Sequence, residues 1–308
     1  DGLVLENSQS VDKRVPHTFI TNHRDIVMDS AFLSISLLDN GFGNTMEIAI
    51  GDNLLIRPWI KKLVRVDKAF IVQRSVSLRQ MLASSARLSR YMHYAIATKH
   101  ENIWIAQREG RAKDSNDRTQ DSILKMMAMG GEGSIIDRLK QLNLVPTALS
   151  YEYDPCDYLK AQEFQQKRDI EGFKKSPKDD LVNMQTGIFG YKGRICFRVA
   201  GPLNDWLDTL PADMPKTELF TAVASRIDKE IHRNYKLYAG NYVAADLLRG
   251  TQEFAAHYTS EEKTRFEAYL ESRLEKATLP NPDTAFLRER LLTMYANPVF
   301  NYMVARQE

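Results

Sequence analysis

The feature that most constrains this chain is an alternation, between residues 17 and 199, of short β-branched or aromatic runs with longer helical stretches. The runs fall at 17–21, 46–50, 69–72, 103–106, 145–151 and 194–199. Helical patterns lie among them at 30–39, 57–64, 77–97, 117–124 and 135–142. Strand, helix, strand in repeated order calls for crossover connections. It predicts an α/β fold: a mixed, largely parallel sheet flanked by helices. From Lys216 the pattern changes to charged, periodic segments at 219–235, 242–249, 261–276 and 284–295, with Pro280 and Pro282 ahead of the last. The prediction is a helical C-terminal region, 216–308, packed on an α/β domain of 1–215. The stretch 161–180, rich in Lys, Gln and Asp, predicts a helix and a loop over one face.

With 308 residues, 43% hydrophobic and 27% charged, the chain can bury a sizeable core and has the make-up of a soluble globular protein. Its net charge of +2 is too small for a global field, so attraction to phosphate or an anionic membrane has to come from local clusters. Cys156 and Cys196 lie far apart, which predicts a reducing compartment and no disulfide framework. No apolar run approaches the roughly 18–20 residues of a membrane span, and the first residues do not read as a signal peptide. The sequence opens on Asp1 rather than Met, which leaves any upstream anchor open. The six histidines are scattered without ligand spacing, so no metal site is expected.

Four segments carry chemistry. The first is Asn22-His23-Arg24-Asp25 at the end of a β-type run, with Asp29 inside the next helical pattern. An imidazole beside a carboxylate can deprotonate an alcohol, while the acid fixes its tautomer and stabilises the imidazolium. Asn22 or Asp25 could equally cap the helix that follows. A protein-kinase reading of His-Arg-Asp fails, because no glycine-rich loop and lysine strand precede it and Ser30 stands where the metal-binding asparagine belongs. The second segment is a strand, 69–72, running into Gln73-Arg74-Ser75, where Arg74 can offer a planar guanidinium to a phosphate. The third is the strand 103–106 discharging into Arg108, Glu109, Gly110, Arg111 and Lys113. Such a loop can form an anion site, with a glycine that lets the backbone come close to a ligand. The fourth is the strand opened by Val145-Pro146 and closed by Ser150-Tyr151-Glu152.

In this order and at these intervals, over residues 15–155, the segments resemble the glycerolipid acyltransferase superfamily, with a weaker echo to about 205. The family pattern is His-x4-Asp, an aromatic-aliphatic strand ending in arginine, Glu-Gly-x-Arg, and a Val-Pro strand. The Ser150-Tyr151-Glu152 ending looks more like the glycerol-3-phosphate branch than the lysophosphatidate branch. Two positions depart from the pattern. Met28 stands at the family's acid position and Asp29 one residue later, and Glu109-Gly110-Arg111 is one residue short. The partner acid of His23 is therefore Asp29 or Asp25.

The resemblance implies that His23 removes a proton from a hydroxyl of a glycerol-phosphate-type acceptor, whose oxygen then attacks an acyl thioester. Acyl-CoA or an acylated carrier protein would be the co-substrate, with no other cofactor. Arg74, Arg111 and Lys113 would hold the acceptor phosphate, with Gly110 shaping the loop and Glu109 positioning a hydroxyl or an arginine. A peripheral position on the inner face of the membrane, from the cytoplasm, is expected, and no nucleic-acid partner. Residues 54–65 mix apolar and basic side chains around Trp59, as a membrane-surface helix does, or as a core helix with solvated lysines does. Two other functions stay open: a non-catalytic lipid- or phosphate-binding relative, and an acyl-thioester hydrolase. The lack of a Gly-x-Ser-x-Gly elbow weighs against a serine hydrolase.

Overall fold

A computed structural model describes residues 2–55, 58–73 and 78–307 of the chain. Its strands are β1 (Leu3–Glu6), β2 (Thr18–Thr21), β3 (Met46–Gly51), β4 (Ala69–Val72), β5 (Asn102–Ala106), β6 (Leu144–Tyr151) and β7 (Ile195–Val199). They form one sheet in the order β1-β7-β6-β2-β5-β3-β4, parallel throughout except where β7 runs against β6. The fold is therefore α/β with a mixed, mostly parallel sheet. The helices in its first half are α1 (Met28–Asp39), α2 (Pro58–Val66), α3 (Leu78–Ala97), α4 (Asp121–Met127), α5 (Ile135–Lys140) and α6 (Asp157–Asp169). Those in its second half are α7 (Pro177–Phe189), α8 (Asn204–Leu207), α9 (Lys216–Arg233), α10 (Ala239–Arg249), α11 (Ser260–Leu274) and α12 (Thr284–Gln307).

Every residue of β2 and β6 is buried, as expected of central strands covered on both faces. Alternation sorts their side chains. Phe19, Trp104, Val145 and Leu149 pack toward Leu33 and Leu37 of α1. Ile20, Ile103, Ile105, Leu144 and Ala148 pack toward Met92 of α3, Leu124 of α4 and Val223, Ile227 and Ile231 of α9. A third cluster joins α10, α11 and α12 to Ala161 of α6. Neighbouring strands β2 and β5 thus send their following helices to opposite faces, which opens a crevice at their carboxyl ends.

Local chemistry sets several boundaries. Ser176 caps α7 by accepting the N–H of Asp179, with Pro177 in the first turn, where a missing N–H costs nothing. The sequence places a loop where this helix begins. It also omits β1, a four-residue strand at the sheet edge of which only Leu5 is buried. The helix expected at 117–124 starts only at Asp121, because Asp117 and Thr119 are held in the preceding loop by Arg24 and Asp228. The last helix runs to Gln307, well past Tyr295, with Pro298 inside it. Burial of Met294, Tyr295, Pro298 and Val299 against the neighbouring helices outweighs the hydrogen bond that proline forfeits.

Candidate active site

The crevice is built from the end of β2. The Asn22 side chain does the work of one more strand residue: its Nδ2 donates to the Leu149 carbonyl at 2.9 Å and its Oδ1 accepts the Leu149 N–H at 2.8 Å. That hooks β2 onto β6 and lets the backbone turn away. Arg24 leaves in the other direction and donates twice to buried Asp117, at 2.9 and 2.6 Å. Asp25 Oδ1 accepts the N–H groups of Val27 and Met28 at 2.9 and 3.0 Å and so starts α1.

Asp29, in the first turn of α1 and fully buried, faces back toward His23. His23 Nδ1 lies 2.7 Å from its Oδ2. The same oxygen accepts the N–H groups of Arg24 and Asp25 at 2.7 and 3.0 Å, and the Tyr151 hydroxyl donates to Oδ1 at 2.8 Å. Burial works to raise the Asp29 pKa, but His23 and the two amides prevail and hold it below the usual carboxylate range. Tyr151 is pushed well above the ordinary phenol value by burial and by Asp29, so it stays a donor. Of the two acids, Asp29 makes the imidazole contact and Asp25 serves as the cap. The cap turn absorbs the extra residue in the His-Asp spacing. Burial, then the charge of Asp29, raises Asp25, whose Oδ2 has no partner among the described residues.

With Nδ1 committed to Asp29, Nε2 is the imidazole nitrogen left for proton transfer. Trp104 meets the ring edge-on at 5.6 Å and is itself fixed by its Nε1–H to Thr21 Oγ1 at 3.1 Å. His23 lies on the wall of a cavity whose other walls include Ile48, Ile50, Ile60, Val64, Asp67, Trp104 and Met184. This is a largely apolar pocket in which His23 and Asp67 are the groups that can take up a proton.

The charged loop after β5 borders the same cavity through Arg108 and Gly110, the latter at φ +70°. Arg111 Nη2 donates to Asn183 Oδ1 of α7 at 3.1 Å, while its Nη1 and the Nε of Arg108 are buried without partners among the described residues. Each is a guanidinium N–H out of water and unanswered, the kind of donor an anion can engage. Lys113 instead meets Glu163 at 2.5 Å, an acid also approached by Lys167 and Lys175. Glu109 is exposed and its N–H donates to Gln120 Oε1 at 2.7 Å. Arg74 lies outside the described residues.

No protein-family model matches the sequence. No curated protein matches it either. In shape the chain is similar to the crystal structure of the 1-acyl-sn-glycerophosphate (LPA) acyltransferase PlsC from Thermotoga maritima. The TM-score is 0.41 and the identity 10%, over 77% of this chain and 74% of that one. At that likeness the chemistry has to be argued from this chain's own residues.

The sequence does not point to the roof of the site. Helix α7 brings Asn183 to Arg111 and Met184 to the cavity, and lays Gly187 so close to Asp25 that a β-carbon there would stand 2.0 Å from Oδ2. A glycine inside the last turn of a helix is the one signal that could have found this contact. In α2, Ile60 is fully buried and Val64 faces the cavity, while Trp59, Lys61 and Lys62 point outward. Among the described residues no helix is long and apolar enough to cross a membrane.

Proposed function

We propose that this protein is an O-acyltransferase that moves a fatty acyl group from an acyl thioester to a hydroxyl of a glycerol-phosphate-type acceptor in phospholipid synthesis. One combination carries the reading: an aspartate-held histidine lines a largely apolar cavity that Arg108 also borders, and Arg108 and Arg111 each keep a buried N–H donor without a partner among the described residues. The cavity suits an alkyl chain, the guanidiniums suit a phosphate, and the histidine suits the hydroxyl between them. The likeness of the four sequence segments to the glycerolipid acyltransferases supports the same chemistry.

In this mechanism His23 Nε2 takes the hydroxyl proton as the oxygen attacks the thioester carbonyl. The tetrahedral intermediate collapses, the thiolate leaves, and the proton on His23 passes to it. No acyl-enzyme forms, because the acceptor oxygen stands where a serine would in a triad. Asp29 holds the tautomer throughout. Arg108 and Arg111 fix the phosphate, so that the attack is effectively intramolecular. The donor is acyl-CoA or an acylated carrier protein, met at the inner face of the membrane.

The test is thiol release from an acyl thioester with and without glycerol 3-phosphate. Transfer predicts release that depends on the acceptor; equal release in its absence means hydrolysis, and none means a binding protein. His23→Ala should abolish release in a folded protein, and a near-normal rate would sink the mechanism. Arg111→Ala should raise the KM for the phosphorylated acceptor while sparing a non-phosphorylated alcohol. An equal loss on both would remove Arg111 from the phosphate site.

A further inference from the structure

Two of the helices around the cavity, α2 and α7, turn the same kind of face outward. In α7 the residues that meet the site are Asn183, Met184 and Gly187. At 3.6 residues per turn, the stripe half a turn away holds Lys178, Val182, Gln185 and Phe189. All four are exposed, Phe189 to 86%, and Tyr191 just beyond is 73% exposed. In α2 the inward residues are Ile60 and Val64, and the opposite stripe holds Trp59, Lys62 and Val66. Val66 is 80% exposed and Trp59 half exposed. Each helix therefore spends its inner face on the cavity and shows an aromatic, an aliphatic and a lysine to the outside.

The acids of α7 do not oppose this pattern. Asp179, on the flank of the helix, is engaged by the N–H of Ser176, and Asp180, on the inward side, by Lys175. Around the outward stripes stand Lys61, Arg65 and Lys174, all exposed. Large apolar side chains interleaved with cations suit the headgroup layer of an anionic bilayer, which takes up both. A second copy of this chain would have to bury those lysines against their own kind. With no membrane-crossing helix among the described residues, contact through these elements has to be peripheral.

We propose that the outer faces of α2 and α7 dock the protein on an anionic lipid bilayer, so that the mouth of the cavity opens at the lipid surface. The choice of a bilayer draws on the acyltransferase reading, whose long-chain substrates reside there, but the docking is measurable without turnover.

The experiment is co-sedimentation of the full chain with vesicles of phosphatidylcholine alone and mixed with phosphatidylglycerol. The expected result is binding that strengthens with the anionic lipid. Phe189→Ser and Trp59→Ser should each weaken it by about tenfold, the scale set by withdrawing one large aromatic side chain from an apolar phase. Lys178→Glu should remove much of the preference for phosphatidylglycerol. All three positions are exposed, so folded variants are expected, and a circular-dichroism melt checks each. Wild-type protein that leaves both kinds of vesicle alone overturns the proposal. So do variants that bind like wild type, and so does a concentration-dependent dimer in sedimentation velocity that Phe189→Ser abolishes. Vesicle binding that persists in a protein with no acceptor-dependent thiol release would discard the enzymatic reading and leave the docking face standing.

Discussion

On the Asp29 carboxylate four donors converge, and three come from positions within six residues of it. The fourth is the Tyr151 hydroxyl, 122 residues away at the end of β6. This bond makes Tyr151 a positioning residue: it fixes the carboxylate rotamer and draws electron density from the oxygen opposite the one that meets His23. Tyr151→Phe would leave a buried carboxylate oxygen short of a donor, which should cost about 1–3 kcal/mol of stability. Under the proposed mechanism kcat should also fall, and the acid limb of the pH–rate profile should move to higher pH as the more basic Asp29 tightens on the imidazolium. A role in packing alone would leave that limb where it was, so the profile decides. His23, Asp25 and Asp29 could be singled out in the sequence because they are neighbours in it. Tyr151 stands out there only as part of a strand ending, since its partner is chosen by the pairing of β2 with β6.

At the scale of elements, what sequence makes legible is periodicity, and what it hides is contact between elements. Strands β2 to β7 fall within a residue of where alternation puts them, because each is a β-branched or aromatic run paired with a neighbour in the sheet. Helix α12 runs on through Pro298 because its burial is decided by elements that local pattern does not contain. The roof helix α7 is the sharpest case. Ser176, Pro177 and Asp179 start it where 161–180 reads as ending in a loop, and its seat depends on Gly187 meeting Asp25. Gly187→Ala would drive a methyl group into that carboxylate, which cannot retreat without giving up the cap of α1. A loss of about 1–3 kcal/mol in urea unfolding is expected, together with weaker binding of the acceptor as Asn183 lifts away from Arg111. Asp25→Ala should recover part of the stability in the double variant. Strictly additive losses would mean that the two residues do not meet.

For the whole molecule, α9 ties the sheet to the C-terminal helices and carries two titratable groups a turn apart, half-buried Asp228 and buried His232. Burial pushes Asp228 up to about 6, with the charge of Asp117 adding to it against the hydrogen bonds from Thr119 and the charge of Arg118. Burial brings His232 down to about 4, aided by Arg118 and Arg24 and opposed by its hydrogen bond to the Asp117 carbonyl. The two act on stability with opposite signs. Between about pH 4 and 6 the folded state keeps a proton on Asp228 that the unfolded chain has released, so this group's contribution falls as pH rises. Over the same range the unfolded chain protonates His232 while the folded state does not, so that contribution grows with pH. Each slope approaches about 1.4 kcal/mol per pH unit, and in the wild-type protein they offset each other. Asp228→Asn should unmask the histidine: relative to wild type, its stability should climb from pH 4 to 6. His232→Gln should show the reverse, a stability that declines over the same interval. Urea unfolding at several pH values measures both differences. Two curves parallel to wild type would mean that neither group is withheld from water as α9 requires.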